Sequence, residues 1–145
     1  MRCEIQNKQV RIMAELTNAD PCVHALLDNG IHEFVFYESS RQAVDRLFAQ
    51  LTQLYDGLTT DQPVPLLFDV REHDLPLAYL FMTFQKWTAG RKQHRPARLA
   101  ILTDEHTLVP LVDAFLRTLR TTYLKARFFA RPQRDEAVDW LVYDR

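Results

Sequence analysis

The chain has 145 residues and a formal net charge of −1, with 47% hydrophobic and 26% charged residues. These values are ordinary for a globular protein, and the length fits one domain spanning residues 1–145. No apolar run approaches the roughly 20 residues that a helix needs to cross a bilayer, and residues 1–8 lack the apolar core of a signal peptide. The sequence therefore predicts a cytoplasmic protein without a membrane span.

Charge is distributed unevenly along the chain. Residues 1–85 contain 6 Lys or Arg and 12 Asp or Glu, whereas residues 86–134 contain 11 Lys or Arg and 3 Asp or Glu. A basic stretch of this kind can meet nucleic acid or an acidic partner. However, no aromatic-stacking motif accompanies it, and its helices can point their arginines in different directions. We therefore expect no tight binding to nucleic acid.

The first part of the chain favours strands. Residues 10–16 partly alternate between apolar and polar side chains, which is typical of a strand with one buried face. Residues 23–27 and 31–37 are rich in apolar side chains and flank Asp28-Asn29-Gly30, a turn signal that suits a hairpin. The N-terminal third is therefore expected to be antiparallel.

After Glu38 the hydrophobic period changes to that of a helix, and helices then alternate with strands. Such alternation requires crossover connections, which produce a mainly parallel sheet. The expected fold is α/β, with a mixed, mainly parallel central sheet, an N-terminal antiparallel hairpin and about four helices. The predicted elements are, in order, a helix capped by Ser39 or Ser40 and ended by Gly57, strand 64–70, helix 75–92, strand 97–103, a helix capped by Thr107, strand 125–130 and helix 133–143.

The predicted helix 75–92 has two distinct faces. One face, within about 120° at 100° per residue, is expected to cover the sheet; it carries Leu77, Leu80, Phe81, Phe84 and Trp87. Tyr79 and Met82 fall outside this stripe, toward Lys86. Apolar and aromatic residues on an outer face favour contact with a partner, so Tyr79, Met82 and Lys86 form a candidate partner-facing surface.

A polar cluster follows the predicted strand 64–70. Asp69, Arg71, Glu72, His73 and Asp74 lie at its carboxyl end, where open α/β sheets usually bind ligands. These side chains could bind an anion or polarise a carbonyl group. Asp74 can equally serve as the N-cap of the following helix. The cluster is therefore a candidate ligand or partner loop, without an identified nucleophile.

The remaining reactive side chains form no recognisable constellation. Cys3 and Cys22 match no zinc motif and agree with a reducing compartment, and the five histidines have no metal-ligand spacing. Ser39 and Ser40 lack the flanking glycines of a hydrolase nucleophile elbow. We therefore predict no catalytic residues, no metal site and no cofactor.

Four consecutive features between Pro65 and Leu141 carry a family resemblance. They are a buried strand with an acidic residue near its end (66–70), a long helix with a basic end, a second buried strand (98–104) and the sequence 126–129 before a short helix at 136–141. This stretch resembles the SpoIIAA-like branch of the STAS superfamily, the anti-sigma-factor antagonist fold. The resemblance implies that partners meet the second helix and the loop before it.

One difference from that family concerns phosphorylation. In phosphorylatable antagonists, a Ser or Thr stands at the N-terminus of the helix that follows the central strand, where the helix amides stabilise a phosphate. Residues 71–76 contain no hydroxyl side chain here. We therefore expect no phosphorylation switch in this loop.

The sequence leaves three functions open. The first is a non-enzymatic regulatory or protein-interaction module that binds a protein partner or forms a homodimer. The second is a small-molecule or lipid-binding domain that takes a small apolar ligand in a cleft between helices and sheet. The third is an uncharacterised enzyme that uses residues 69–74. An apolar cavity beneath the helices would favour the second, and a filled core with an apolar outer patch would favour the first.

Overall fold

The computed structural model describes residues 20–59, 61–71, 76–91, 95–104, 110, 113, 114, 117 and 124–143. Strand β1 and strand β2 come first, and helices then alternate with strands. The elements are β1 (Cys22–Leu26), β2 (His32–Phe36), α1 (Arg41–Asp56), β3 (Val64–Arg71), α2 (Leu77–Ala89), β4 (Ala97–Thr103), β5 (Leu124–Phe129), a 3₁₀ turn (Arg131–Gln133) and α3 (Arg134–Tyr143).

The five strands form one mixed sheet in the order β1-β2-β3-β4-β5. Strand β1 pairs with β2 antiparallel, and every other neighbouring pair is parallel. The predicted N-terminal hairpin and the mainly parallel sheet are therefore confirmed. The strands predicted at 64–70, 97–103 and 125–130 lie adjacent and parallel, as β3, β4 and β5.

Local chemistry explains the turn and the first helix. Gly30 has a φ of 85°, a left-handed conformation that suits a residue without Cβ, and it closes the β1–β2 hairpin. Helix α1 begins where the Ser40 hydroxyl accepts a hydrogen bond from the Ala43 amide at 3.1 Å. It ends where the Gly57 amide donates to the Gln53 carbonyl at 3.2 Å. Both predicted ends of this helix are confirmed.

The hydrophobic core has one part on each face of the sheet. Helices α1 and α2 pack on one face, against Phe34, Leu66 and Leu99. Helix α3 packs on the other face, where Ala137 and Leu141 meet Leu67, Ala100 and Leu102. Because successive side chains of a strand point to opposite faces, strands β3 and β4 contribute to both parts. Buried runs on both faces are what a parallel sheet requires.

Helix α2 is shorter than the predicted 75–92 at both ends. The helix begins at Leu77, with Pro76 as its N-cap residue. It ends at Gly90, whose amide donates to the Lys86 carbonyl at 3.1 Å. The proposed N-cap role of Asp74 lies outside the described residues. Within those residues, no helix is long and apolar enough to cross a membrane.

The connection between β4 and β5 is described at four positions. Pro110, Asp113, Ala114 and Arg117 have helical backbone conformation, and the rest of the helix predicted after Thr107 lies outside the described residues, as does the strand predicted at 10–16.

Candidate functional site: an apolar pocket beneath the helices

A pocket lies between helices α1 and α2 and the face of strands β3, β4 and β5. Its volume is about 110 Å³, and it is partly open to solvent. All of its described lining residues are apolar or aromatic. They are Leu47, Phe48, Leu51 and Tyr55 of α1, Leu66, Phe68 and Val70 of β3, Leu77, Leu80, Phe81, Phe84 and Trp87 of α2, Leu99 and Ile101 of β4, and Leu124 and Phe128 of β5.

The pocket exists because α2 packs less closely on the sheet than α1 does. Six residues of α1 are buried, but none of α2 is. The five α2 residues that were predicted to cover the sheet all line the pocket, which confirms the face they occupy. Large rings at Phe81, Phe84 and Trp87 thus form a wall over an open space, rather than filling it.

The lining carries few polar groups. The indole Nε1 of Trp87 donates a hydrogen bond to Thr52 Oγ1 at 2.9 Å, so this group is already used within the protein. Burial raises the pKa of the Tyr55 hydroxyl to about 12, so the phenol stays neutral at physiological pH. Apolar cavities of about 150 Å³ stay dry and bind benzene. A slightly smaller space of this kind suits one aromatic ring or a short alkyl chain.

The cation Arg91 lies next to this apolar lining, where α1 and α2 end. The Arg91 guanidinium carbon lies 5.3 Å from the ring centre of Tyr55 and 4.9 Å from that of Trp87. Its Nη2 lies 3.1 Å from Oδ1 of Asp56. Cations over aromatic faces are attracted by the ring quadrupole. This arrangement was not predicted from the sequence, although the spacing of four residues between Trp87 and Arg91 was an available signal.

The candidate partner-facing residues divide into two groups. Met82 is 44% exposed and Lys86 is exposed, as expected for an outer face. Tyr79 is partly buried: it contacts the core, its hydroxyl donates to the Asp45 carboxylate of α1, and the Arg41 guanidinium lies 5.1 Å from its ring centre. This hydrogen bond raises the pKa of Tyr79. Its contact with a partner stays a prediction. A residue at the flank of a helix meets the neighbouring helix, which a single-helix pattern cannot show.

The candidate ligand loop is described only at its start. Asp69 lies within β3, and its Oδ1 is 3.9 Å from Nε of Arg131, which follows β5. This contact joins strand β3 to the chain before α3. Arg71 ends β3, and Glu72, His73 and Asp74 lie outside the described residues. An anion site in this loop therefore stays a prediction.

Two other reactive groups lie in or beside the hairpin. His24 Nε2 and His32 Nδ1 are 3.0 Å apart across the two strands, and burial lowers the pKa of both rings. Burial raises the pKa of the Cys22 thiol to about 12, so it is an unreactive free thiol. In the described part of the chain, no three His, Cys, Asp or Glu side chains are grouped to hold a metal ion.

Comparisons with protein-family models, with curated proteins and with solved structures found no match to this chain.

Proposed function

We propose that the protein is a non-enzymatic binding module that holds a small, largely apolar molecule in the pocket between α1, α2 and the sheet. The observation that supports this most directly is the partly open apolar space beneath α2. Ligand sites are typically concave and lined by hydrophobic and aromatic side chains with few polar groups. A filled core would instead have favoured a module that acts through its outer surface alone.

The expected affinity follows from the size of the pocket. A ligand of about seven heavy atoms fits this space. Its binding free energy cannot exceed the upper limit of about 1.5 kcal/mol per heavy atom that the best small ligands reach. A dissociation constant between about 10 μM and 1 mM corresponds to about −7 to −4 kcal/mol, which lies within that limit. Toluene has the appropriate size and carries no polar group, so it serves as a probe of the pocket itself.

We expect toluene to bind the wild-type protein and to shift the amide resonances of pocket residues in a heteronuclear NMR titration. The variant Leu99→Phe enlarges a lining side chain of β4 and should abolish the shifts by occupying the space. Leu26→Phe is the matched control, because the same change occurs at a residue that is 63% exposed and does not line the pocket. The control should bind toluene as the wild type does.

A wild type whose spectrum is unchanged by saturating toluene would refute the proposed pocket function. If toluene bound Leu99→Phe as tightly as the control, the ligand would occupy another place in the molecule.

A second candidate is a protein-interaction module or homodimer that uses the outer face of α2. The observation that favours it is the exposure of Met82, a large apolar side chain, beside the exposed Lys86. Met82→Glu should abolish self-association while leaving the thermal midpoint nearly unchanged, since no core contact is lost. Gln85→Glu adds the same charge at another exposed position of α2 and serves as the control. Light scattering at matched concentrations measures the oligomeric state of each protein. A wild type that is monomeric at high concentration would refute the homodimer.

A further inference from the structure

We propose that the natural ligand is a small monocarboxylic acid, with its apolar body in the pocket and its carboxylate on the guanidinium of Arg91. This inference rests on the proposed function of the pocket and adds the chemical class of the ligand. It names Arg91 as the residue that selects an acid over a neutral molecule of the same size.

The first argument is position. Arg91 stacks on the rings of Tyr55 and Trp87, and both residues line the pocket. A molecule that lies against these rings therefore ends close to the guanidinium. The Arg91 side chain is only 19% exposed, so its charge lies mostly away from water, where its interaction with an anion is less screened.

The second argument is unused hydrogen-bonding capacity. The guanidinium has five N–H donors in a fixed fork, and an arginine can hold a carboxylate through two parallel bonds. Arg91 Nη2 bonds Asp56, but Nε is buried and has no hydrogen-bond partner among the described residues. A buried donor without a partner is costly, so an acceptor that reaches Nε after a small rotation of the side chain is favoured.

The third argument concerns the competitor, Asp56. This carboxylate is 65% exposed, and ion pairs at the surface contribute little to stability. A ligand carboxylate can therefore replace it at the guanidinium while Asp56 turns to water. The single positive charge of Arg91 is balanced by a monoanion, whereas a phosphate dianion would bring one more negative charge to the apolar lining. The neutral phenol of Tyr55 adds no negative charge to repel the acid.

The test compares hexanoate with 1-hexanol by calorimetric titration at moderate salt, because the two differ only in the head group. We expect the wild type to bind hexanoate about tenfold more tightly, the advantage of a charge-assisted contact. Arg91→Gln should remove this advantage and leave the affinity for hexanol within about twofold, since hexanol makes no ionic contact. Arg91→Lys should restore it only in part, because an ammonium lacks the planar fork.

Asp56→Asn provides an arm that does not depend on the folding of Arg91 variants. Removing the exposed Asp56 carboxylate should lower the dissociation constant of hexanoate several-fold and leave that of hexanol unchanged. Equal affinities of the wild type for hexanoate and hexanol, or an Asp56→Asn variant with unaltered hexanoate affinity, would overturn the assignment of an acid. Toluene binding distinguishes failure of the acid assignment from failure of the pocket function. If toluene binds but hexanoate is not preferred, only the acid assignment is refuted. If toluene does not bind, both proposals are refuted.

Discussion

His24 and His32 form a contact between side chains of the β1–β2 hairpin that links protonation to folding. Their facing nitrogens are 3.0 Å apart, so one ring must donate and the other must accept through an unprotonated nitrogen. The His24 ring also stacks on the ring of Phe34, with centroids 4.5 Å apart. Burial lowers the pKa of both histidines, and the charge of His24 lowers that of His32 further. Folding therefore favours the neutral rings.

A pH dependence of stability follows from these directions. A histidine whose pKa is lower in the folded state binds fewer protons folded than unfolded, so stability rises with pH in this range. We expect this contribution to the free energy of unfolding to be greatest above the unfolded histidine pKa of about 6.5 and to decrease as the pH falls below it. Urea denaturation at pH 7.5, 6.5 and 5.5 measures the slope.

The control for this prediction is the double variant His24→Gln, His32→Gln. It removes the two linked groups while the other three histidines remain, so the difference between the two slopes reports the hairpin pair alone. A variant that loses stability between pH 7.5 and 5.5 as steeply as the wild type would contradict the linkage.

At the scale of elements, a partly buried hydrogen bond and a set of aromatic rings join the C-terminal half of α2 to α1. Trp87 Nε1 donates to Thr52 Oγ1, and the Trp87 ring lies 5.8 Å from that of Phe48 and 5.2 Å from that of Tyr55. This contact holds the C-terminal half of α2 at α1, although no residue of α2 is fully buried. Helix α2, which bounds the pocket, is therefore held in place by its contacts with α1 and not by close packing on the sheet.

Thr52→Val should destabilise the protein by about 1–2 kcal/mol, because the indole N–H is left without its acceptor in a partly buried place. Thr88→Val is the matched control. Both threonine hydroxyls donate to the carbonyl four residues earlier at 2.7 Å, but Thr88 accepts no bond from Trp87. Chemical denaturation of the three proteins gives the difference. Equal losses for the two variants would show that the indole bond contributes nothing.

The order of elements was predictable from sequence because apolar runs and turn residues act locally. Strand 97–103 was predicted with its observed bounds, and Ser40 and Gly57 marked both ends of α1. The pocket was not predictable, since it depends on how far the rings of α2 stand from the sheet. The contacts of Tyr79 and Arg91 likewise depend on which helix lies beside α2. Such distances arise from packing of distant segments and leave no periodic signal.

At the scale of the whole molecule, the fold joins the acidic and basic parts of the sequence. Among the residues that the structure describes, four ion pairs connect a carboxylate from the first 85 residues with an arginine from the basic stretch 86–134. They are Asp56–Arg91, Asp61–Arg95, Asp69–Arg131 and Glu33–Arg134. The guanidinium of another arginine of that stretch, Arg98, is buried over the ring of Trp140 at 4.3 Å. Part of the positive charge seen in the sequence is therefore matched by carboxylates within the described structure.

This pairing predicts weak binding to nucleic acid. A protein gains affinity for a polyanion when free cations release the counterions condensed on the phosphates, and cations already paired with carboxylates release few. We expect dissociation constants above about 1 μM for duplex and single-stranded DNA and RNA near physiological salt, since non-specific binding typically falls between 10⁻⁴ and 10⁻⁶ M. Fluorescence anisotropy measures them. The double variant Asp56→Asn, Asp61→Asn removes one carboxylate partner from Arg91 and one from Arg95, so it should bind more tightly, with a steeper loss of affinity as salt increases. A submicromolar constant for the wild type would show instead that the basic stretch is a binding surface despite its internal ion pairs.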